Sequence, residues 1–300
     1  MAKLMTVTPP SLGPRHRMLL GTAMLGTLCL GYGRRAYADC APSGPAGTYA
    51  CSGSTTVTQT LSPASAGAPL VITTTPGFGI TTTTGDALDL STTGASVGLS
   101  FTDAYVSTIA GNGYGINATN LGAGDPTITT TGSVSGGVLQ STPASGILAK
   151  NYGAGLTISA AGVVGANYGI AALNKGSGPL SIMTTGAVYG KYNSGIAAKN
   201  YGGSLTISAA TVVGGSYGVA GGAKGDGIYA LNQGSGALSI TTTGSVIGGA
   251  RGIFAKNYGT SLSINAAGAS GVVAGIGGYN HGSGSLTITA TGAAAARSTG

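Results

Sequence analysis

The fold of this chain is decided by the eight residues Gly146-Ile147-Leu148-Ala149-Lys150-Asn151-Tyr152-Gly153, because the same unit returns along its length. The unit reads Gly-Ile-x-Ala-x-Asn-x-Gly and is followed by an apolar-x-Ile pair and a further glycine. A unit that recurs every 20–50 residues is typical of a stack of supersecondary elements sharing one continuous core. Spacings of 31, 23, 26, 32, 25 and 23 residues separate the starting glycines Gly115, Gly146, Gly169, Gly195, Gly227, Gly252 and Gly275.

The alternation of side chains within the unit predicts a strand with one buried face. Ile147 and Ala149 share one parity and are apolar, whereas Lys150 has the other parity. Successive side chains of a strand point to opposite faces, so we expect the first set to face inward and the second outward. Gly153 and Gly155 are expected to supply positive φ in the turn that follows.

Two further segments complete each unit. Leu156 and Ile158 form a second inward pair, and residues 162–165 form a third short segment. Three short strands per coil predict an all-β, right-handed parallel β-helix, a solenoid with roughly 23–32 residues per coil. Here a coil is one complete circuit of the solenoid. Stacked coils would align two inward isoleucine columns, Ile116, Ile147, Ile170, Ile196, Ile228, Ile253 and Ile276, and Ile128, Ile158, Ile182, Ile207, Ile240, Ile264 and Ile288.

Asparagine occupies one position in all seven units. A row of metal or sugar ligands is the functional interpretation, and a structural ladder at a bend is the alternative. Asparagine tolerates left-handed turn geometry, and its amide can hydrogen-bond up and down a stack, so we expect the ladder. Its members are Asn120, Asn151, Asn174, Asn200, Asn232, Asn257 and Asn280.

The positions on either side of this asparagine predict an outward stripe of tyrosines and cations. Tyrosine faces beside lysines can hold a sugar or an anionic surface. The alternative is a solvated edge whose lysines discourage side-by-side aggregation. This possible binding stripe, called the Lys/Tyr stripe below, consists of Lys150, Tyr152, Lys199, Tyr201, Lys256 and Tyr258.

The amino-terminal residues have the features of a secretory signal peptide. Basic residues precede an apolar stretch from Met18 to Leu30, which is too short to span a bilayer. Ala36-Tyr37-Ala38 fits a cleavage site, so Asp39 is the expected first residue of the exported chain.

Two cysteines remain after the expected cleavage. An even pair in an exported chain favours a disulfide, so we expect Cys40 and Cys51 to close a short loop. We therefore divide the chain into the signal peptide (1–38), an N-terminal capping region with the disulfide and irregular first coils (39–110), and regular β-helix repeats (111–300).

Composition excludes several classes of protein. The chain has 58 glycines among 300 residues, no tryptophan, no glutamate and only 6% charged residues, which does not fit a helical protein. Five of its cations precede residue 39, and the eight later ones face six aspartates, a net charge of +2. Nucleic-acid binding proteins concentrate positive charge on one face, so no nucleic-acid partner is expected.

Catalytic patterns are weak in the exported part. No aspartate recurs at a fixed place in the repeat, and the only histidine after the signal is His281. Glycosidic or metal-assisted chemistry needs clustered carboxylates, so we expect no enzyme activity, no metal and no cofactor.

The run Cys40…Gly47-Thr48-Tyr49-Ala50-Cys51-Ser52-Gly53, followed by Thr-rich strands and the repeats, resembles the start of the passenger domain of bacterial autotransporters, which use type V secretion. The resemblance implies export to the periplasm and passage through an outer-membrane barrel formed by the chain's own carboxyl end. The outer-membrane translocation machinery is then a partner, and the passenger is shown at the cell surface or released.

The resemblance extends to the passenger alone. Residues after Gly227 lack the ten-residue alternating strands and aromatic girdles of a membrane barrel, so we expect an N-terminal part of a longer protein. The expected function is a non-enzymatic adhesin or structural spacer with a surface glycan or protein as receptor. The alternatives are a polysaccharide-active β-helix enzyme and a self-assembling, amyloid-like surface fibre.

Overall fold

The structure, a computed structural model, describes residues 39–296 except for positions 64, 66, 95–96, 138–142 and 216–224. The predicted signal peptide lies outside the described residues. The described chain is all-β, with no helix, and its strands stack as a parallel β-solenoid of about nine coils. This confirms the predicted all-β, parallel β-helix class, and its right-handedness stays a prediction.

The strands are short because glycine-rich corners interrupt the apolar alternation every few residues. In chain order, the first half contains β1 (Asp39–Pro42), β2 (Thr48–Ser52), β3 (Ser54–Thr55), β4 (Gln59–Leu61), β5 (Leu70–Thr74), β6 (Gly79–Thr81), β7 (Leu88–Ser91), β8 (Leu99–Asp103), β9 (Thr108–Gly111), β10 (Ile116–Asn120), β11 (Thr127–Gly136), β12 (Ile147–Asn151) and β13 (Leu156–Gly165). The second half contains β14 (Ile170–Asn174), β15 (Leu180–Thr184), β16 (Val188–Gly190), β17 (Ile196–Asn200), β18 (Leu205–Ala209), β19 (Val212–Gly214), β20 (Ile228–Asn232), β21 (Leu238–Gly248), β22 (Arg251–Asn257), β23 (Leu262–Gly271), β24 (Ala274–Asn280), β25 (Leu286–Ala290) and β26 (Ala294–Ala296).

One face of the solenoid, called the asparagine sheet below, carries the Ile-x-Ala-x-Asn strands. Its pairing is parallel and in register, with Ile147 beside Ile116 on one side and Ile170 on the other. The burial pattern of β12 alternates between buried and half-buried residues, which confirms the predicted parity of Ile147 and Lys150. The sheet has nine strands in the order β24-β22-β20-β17-β14-β12-β10-β7-β4.

The other two faces carry the apolar-x-Ile strands and the short third segments. Ile158 pairs with Ile128 and Ile182 on the second face, and Val163 pairs with Val134 and Val188 on the third. The second and third segments are not always separate, since β11, β13, β21 and β23 each run through both. The pairing of β11 with β13 shifts register between Thr130 and Ser133. The chain therefore bends from the second face to the third through an irregularity in the pairing, and the strand is not interrupted.

The core includes the two predicted isoleucine columns, the leucines that begin the second-face strands, the valines of the third face and the alanines of the repeat. The isoleucines of the two columns are at most 1% exposed up to Ile264, and full burial of such a side chain is worth about 1.5–3 kcal/mol. Ile276 is half-buried and Ile288 is 45% exposed, because the last described coil has a neighbour on one side only. No coil could bury this face alone, so stability comes from contact between neighbours.

The prediction of positive φ at Gly153 and Gly155 is wrong, since neither residue lies in the left-handed region. Glycine is needed at the first position for another reason. A Cβ built on Gly153 would lie 2.2 Å from the carbonyl oxygen of Gly122 in the preceding coil. The corner glycines therefore allow backbones of successive coils to approach closely.

Residues between Thr48 and Gly111 form coils continuous with the repeats. Leu88 of β7 pairs with Ile116, and Phe101 of β8 pairs with Ile128, so the inward columns continue into this region. At the amino-terminal end, β1 runs antiparallel to β2 and the predicted Cys40–Cys51 disulfide joins them. This antiparallel strand covers an edge that the parallel stack would otherwise expose.

Variation in coil length is concentrated at the corner between the third face and the asparagine sheet. Only 166–169 separate β13 from β14, whereas 137–146 separate β11 from β12. The prediction that the extra residues lie outside the strands falls mainly on 138–142 and 216–224, which lie outside the described residues. The insertion expected before Gly227 lies at this same corner, and of residues 221–226 the structure describes only Gly225 and Asp226.

Candidate functional site

The seven asparagines of the repeat form a continuous hydrogen-bonded row inside the solenoid. Each is the last residue of its strand, and the Nδ2 of each of the first six donates to the Oδ1 of the asparagine in the next coil. The six N–O distances along the row from Asn120 to Asn280 lie between 2.7 and 2.9 Å. Thr92 extends the row at its amino-terminal end by donating its hydroxyl to Oδ1 of Asn120, at 2.7 Å.

Each asparagine also holds its own turn. Nδ2 of Asn151 donates to the carbonyl oxygens of Ala154 and Gly155, and Oδ1 accepts from the amide of Gly153. Six of the seven side chains are at most 1% exposed. Buried amides whose donors and acceptors are all engaged within the protein stabilise the stack, and they offer nothing to a ligand.

The Lys/Tyr stripe occupies two neighbouring outward columns. The lysines lie in one column of the asparagine sheet, which begins Lys150–Leu173–Lys199 and continues through the later coils. Leucines alternate with lysines along this column. The tyrosines lie just past the strand ends and are 45–48% exposed at Tyr152, Tyr201 and Tyr258. The stripe lysines do not stack on these rings. Instead, Nζ of Lys175 lies 5.3 Å from the centroid of Tyr152, and the ring of His281 stacks on Tyr258 at 4.9 Å.

The structure shows a second cluster, on the outward face of the asparagine sheet, that sequence reasoning missed. Three rings make an aromatic row there, with centroids 5.7 Å apart for Tyr229 and Phe254 and 5.6 Å apart for Phe254 and Tyr279. Nζ of Lys199 lies 5.8 Å from the centroid of Tyr229, and Nζ of Lys256 lies 5.3 Å from that of Phe254. Two lysines of the stripe therefore belong to this cluster.

An ion pair fixes one side of the aromatic row. Nε and Nη2 of Arg251 donate to the two carboxylate oxygens of Asp226 at 2.8 and 3.0 Å. The guanidinium lies 3.5 Å from the centroid of Phe254, and Asp226 is only 4% exposed. A bidentate pair that also stacks on a ring is held in one orientation.

The environment raises the pKa of Tyr229. Burial is the largest cause, and the negative charge of Asp226 adds to it, while the positive charge of Arg251 acts in the opposite direction. The phenol therefore keeps its proton at neutral pH and can donate a hydrogen bond.

A cleft opens beside Tyr229, with a volume of about 240 Å³. The column that contains Tyr229 reads Ala171–Ala197–Tyr229–Phe254 through successive coils, so the outer surface steps from small side chains to rings. The cleft, called the Tyr229 cleft below, is lined by Tyr168, Asn193, Ala197, Lys199 and Tyr229 together with the Asp226–Arg251 pair. The available signal was the change from Ala171 and Ala197 to aromatic residues at one variable position of the repeat.

The aspartates lie on several coils. Nδ2 of Asn117 donates to both Asp86 and Asp89 at 3.2 Å, and the amide of Tyr114 donates to Asp86 at 2.8 Å. The pKa of Asp89 is raised, first by burial and second by the charge of Asp86.

Two more aspartates are engaged with the solenoid itself. Asp103 is buried and accepts hydrogen bonds from Thr74 and Ser107 at 2.7 and 2.8 Å. Asp125 accepts a hydrogen bond from the amide of Gly155 in the next coil. Both carboxylates therefore brace corners of the stack.

Another cavity has no charged lining. It has a volume of about 370 Å³ and lies on the third face near the amino-terminal end, among Ser54, Phe78, Thr81 and Val106. In the part of the chain that the structure describes, no group of three or more His, Cys, Asp or Glu side chains could hold a metal ion. The same residues include no helix long and apolar enough to cross a bilayer.

Comparison with known proteins gives no match that would help to interpret this geometry. No protein-family model matches the chain, and no curated protein or solved structure matches it significantly.

Proposed function

We propose that the chain is a non-enzymatic passenger segment of an autotransporter, displayed at the cell surface or released, where it acts as an adhesin or a structural spacer. The observation that carries the proposal is the in-register stack of about nine coils. At about 4.8 Å per coil, nine strands extend roughly 40 Å along the axis. Such a stack presents side chains in ordered columns over its whole length, which suits a spacer or an extended binding surface.

The disulfide supports export. Disulfides persist in oxidising compartments and are rare in the cytosol. Cys40 and Cys51 are buried and joined, which indicates a non-cytoplasmic compartment for the folded chain. Together with the signal-like residues 1–38, this favours secretion, with the outer-membrane translocation machinery as the proposed partner.

The placement of the aspartates favours a non-enzymatic role over a polysaccharide-active enzyme. A glycosidase needs two carboxyl groups facing the same bond. Asp226 is paired with Arg251, and Asp103 is buried among hydroxyl groups. Asp86 and Asp89 share the amide of Asn117. These contacts give each of these carboxylates a structural partner.

Localisation tests the proposal directly. Antibodies raised against the purified chain are applied to intact and to lysed cells of the producing organism, and the culture medium is assayed in parallel. We expect labelling of intact cells or release into the medium, with Cys40 and Cys51 oxidised. A chain that is found only in the cytoplasm, with both thiols reduced, would refute export.

Adhesion is tested with the Lys/Tyr stripe. The triple variant Tyr152→Ala, Tyr201→Ala, Tyr258→Ala removes three exposed rings and leaves the core intact. If the stripe contacts the surface glycan or protein receptor, this variant loses adhesion of the displayed chain while its circular-dichroism spectrum and melting temperature stay unchanged. Full adhesion by the folded variant would leave the stripe with only a solvated-edge role.

A further inference from the structure

We propose that the Tyr229 cleft binds a saccharide unit whose pyranose ring carries an anionic group. This goes beyond the general adhesive role proposed above by naming a site and a ligand class. Its test uses the purified exported chain in solution, so a failure of surface display and a failure of this site would be seen in different experiments.

The shape of the cleft fits a single sugar ring. Ala197 and Tyr229 are partners on neighbouring strands and both line the cleft, so a small side chain lies next to an aromatic ring. The volume of about 240 Å³ is below the roughly 300–1,000 Å³ of pockets for drug-sized ligands, so it suits one ring of a longer chain. An aromatic ring beside a small side chain offers an apolar contact to the C–H face of a pyranose.

The polar groups around this contact fit the hydroxyls of a sugar. Tyr229 keeps its phenolic proton and can donate, and Asn193 offers an amide at the rim. Nδ2 of Asn193 donates to Oδ1 of Asn167 at 2.8 Å, which fixes the orientation of that amide. The Asp226 carboxylate is held by Arg251 and can accept from a ligand hydroxyl with its remaining lone pairs.

The charge of the cleft favours an anionic ring. The single negative charge of Asp226 is balanced by Arg251 at 2.8 Å, so Lys199 contributes an additional positive charge at the rim. Lys256 lies outside the lining of the cleft, two coils further on, beside Phe254 and Tyr279. Lys199 is exposed and lies over Tyr229, where its ammonium group can reach a carboxylate or sulfate on a ring seated in the cleft.

Binding is measured by titration calorimetry of the purified chain with three oligosaccharides of similar length. These are an oligogalacturonate, which carries carboxylates, a sulfated heparin-derived oligosaccharide and a neutral malto-oligosaccharide. We expect binding of at least one anionic probe, with an affinity at least tenfold above that for the neutral one. The two anionic probes distinguish a carboxylate from a sulfate as the recognised group.

Variants locate the binding. Tyr229→Ala introduces an alanine, which is the residue that the preceding coil already has at this position, Ala197. We therefore expect the fold to persist. We expect Tyr229→Ala and Lys199→Gln each to weaken binding about tenfold or more, and Tyr189→Ala, an exposed tyrosine on the third face, to leave it unchanged. The proposal is overturned by absence of binding to both anionic probes, by equal binding of the neutral probe, or by binding that Tyr229→Ala and Lys199→Gln leave intact.

Discussion

Asn200 shows what one side chain of the ladder contributes. It donates to Asn232 at 2.9 Å, accepts from Asn174 at 2.8 Å, and also donates to two carbonyl oxygens of its own turn. Asn200→Ala would remove these four buried hydrogen bonds at once, and each hydrogen bond contributes about 0.5–1.5 kcal/mol to stability. We expect a loss of roughly 2–4 kcal/mol in the free energy of unfolding, measured by denaturant titration.

The matched control is the last asparagine of the row. Asn280 is half-buried and donates to the carbonyl oxygen of Gly284, and its coil has a neighbour on one side only. Asn280→Ala should therefore cost clearly less than Asn200→Ala. Equal stability of wild type and Asn200→Ala would show that the ladder does not stabilise the solenoid.

A comparison of Gly153 with Gly162 distinguishes two reasons for glycine, which are close approach of the neighbouring coil and a backbone conformation with positive φ. Neither residue has positive φ, but a Cβ on Gly153 would meet the Gly122 oxygen at 2.2 Å, whereas one on Gly162 would meet only the Ala187 oxygen at 3.8 Å. We expect Gly153→Ala to lower the melting temperature strongly because the preceding coil must shift. Gly162→Ala should be neutral or slightly stabilising, since alanine restricts the unfolded chain. The same melting temperature for both variants would contradict the close-approach explanation.

Asp89 gives a pH dependence with a defined sign. Its pKa in the folded chain is raised above the usual 3.8, so the folded state loses stability relative to the unfolded state as pH rises from 3.8 through the folded pKa. Asp89→Asn removes this loss and keeps an oxygen for Asn117. We expect a gain of less than about 1 kcal/mol at pH 7, because the group is half-exposed, and no gain at pH 3. A gain that is equal at both pH values would have another cause.

The sequence predicted the inward isoleucines and the asparagine column because period-2 alternation and a fixed repeat position are visible in one dimension. It did not predict the role of Gly153, since the atom that excludes a side chain there belongs to Gly122, in the previous coil. Tyr229 and Arg251 were missed for a related reason. They occupy variable positions of the repeat, whose side chains are brought together by the stacking of coils.

At the scale of elements, the sequence predicted three strands per coil but not where neighbouring strands join. The second and third segments are one strand in β13 and two strands in β15 and β16. The difference is not indicated by a proline or by a glycine with positive φ at the bend residues, which are Ala161 and 185–187. Whether the strand hydrogen bonding continues through the bend depends on how the bend is aligned with the neighbouring coils. This alignment is seen only in the register of the folded structure.

The disulfide between β1 and β2 should stabilise the amino-terminal end locally. The chain-entropy model gives about 3 kcal/mol for a loop of this length, with a sequence separation of 11. Because coils contact only their neighbours, the effect of Cys40→Ser with Cys51→Ser should decay along the stack. Hydrogen exchange should show lost amide protection in β2 and β5 and unchanged protection in β18. A uniform loss along the solenoid would contradict nearest-neighbour stability.

For the whole molecule, the constant feature is register and the variable feature is corner length. The asparagine sheet keeps Ile beside Ile and Asn beside Asn through β10, β12, β14, β17 and β20, although the corners before these strands differ in length. Insertions at one corner leave the pairing of the three faces intact, because pairing is set by the inward columns. The fold is therefore specified coil by coil, and this modularity can be tested by removing one coil.

Deletion of residues 170–195 removes one complete coil and joins Gly169 to Ile196, so Ile147 would meet Ile196 and Leu156 would meet Leu205. Because the inward columns stay aligned, we expect this variant to fold with a β-sheet circular-dichroism spectrum and a modestly lower stability. Deletion of residues 172–196 is the control, since it leaves one extra residue between Ile170 and Asn200. That extra residue either puts isoleucine and asparagine on opposite faces of the strand or moves Ile170 into the corner and leaves Ala171 in the isoleucine column. In both cases the core loses an isoleucine, so this variant should be clearly less stable than the first. If both deletions fold equally well, in-register stacking of inward side chains is not what holds the solenoid together.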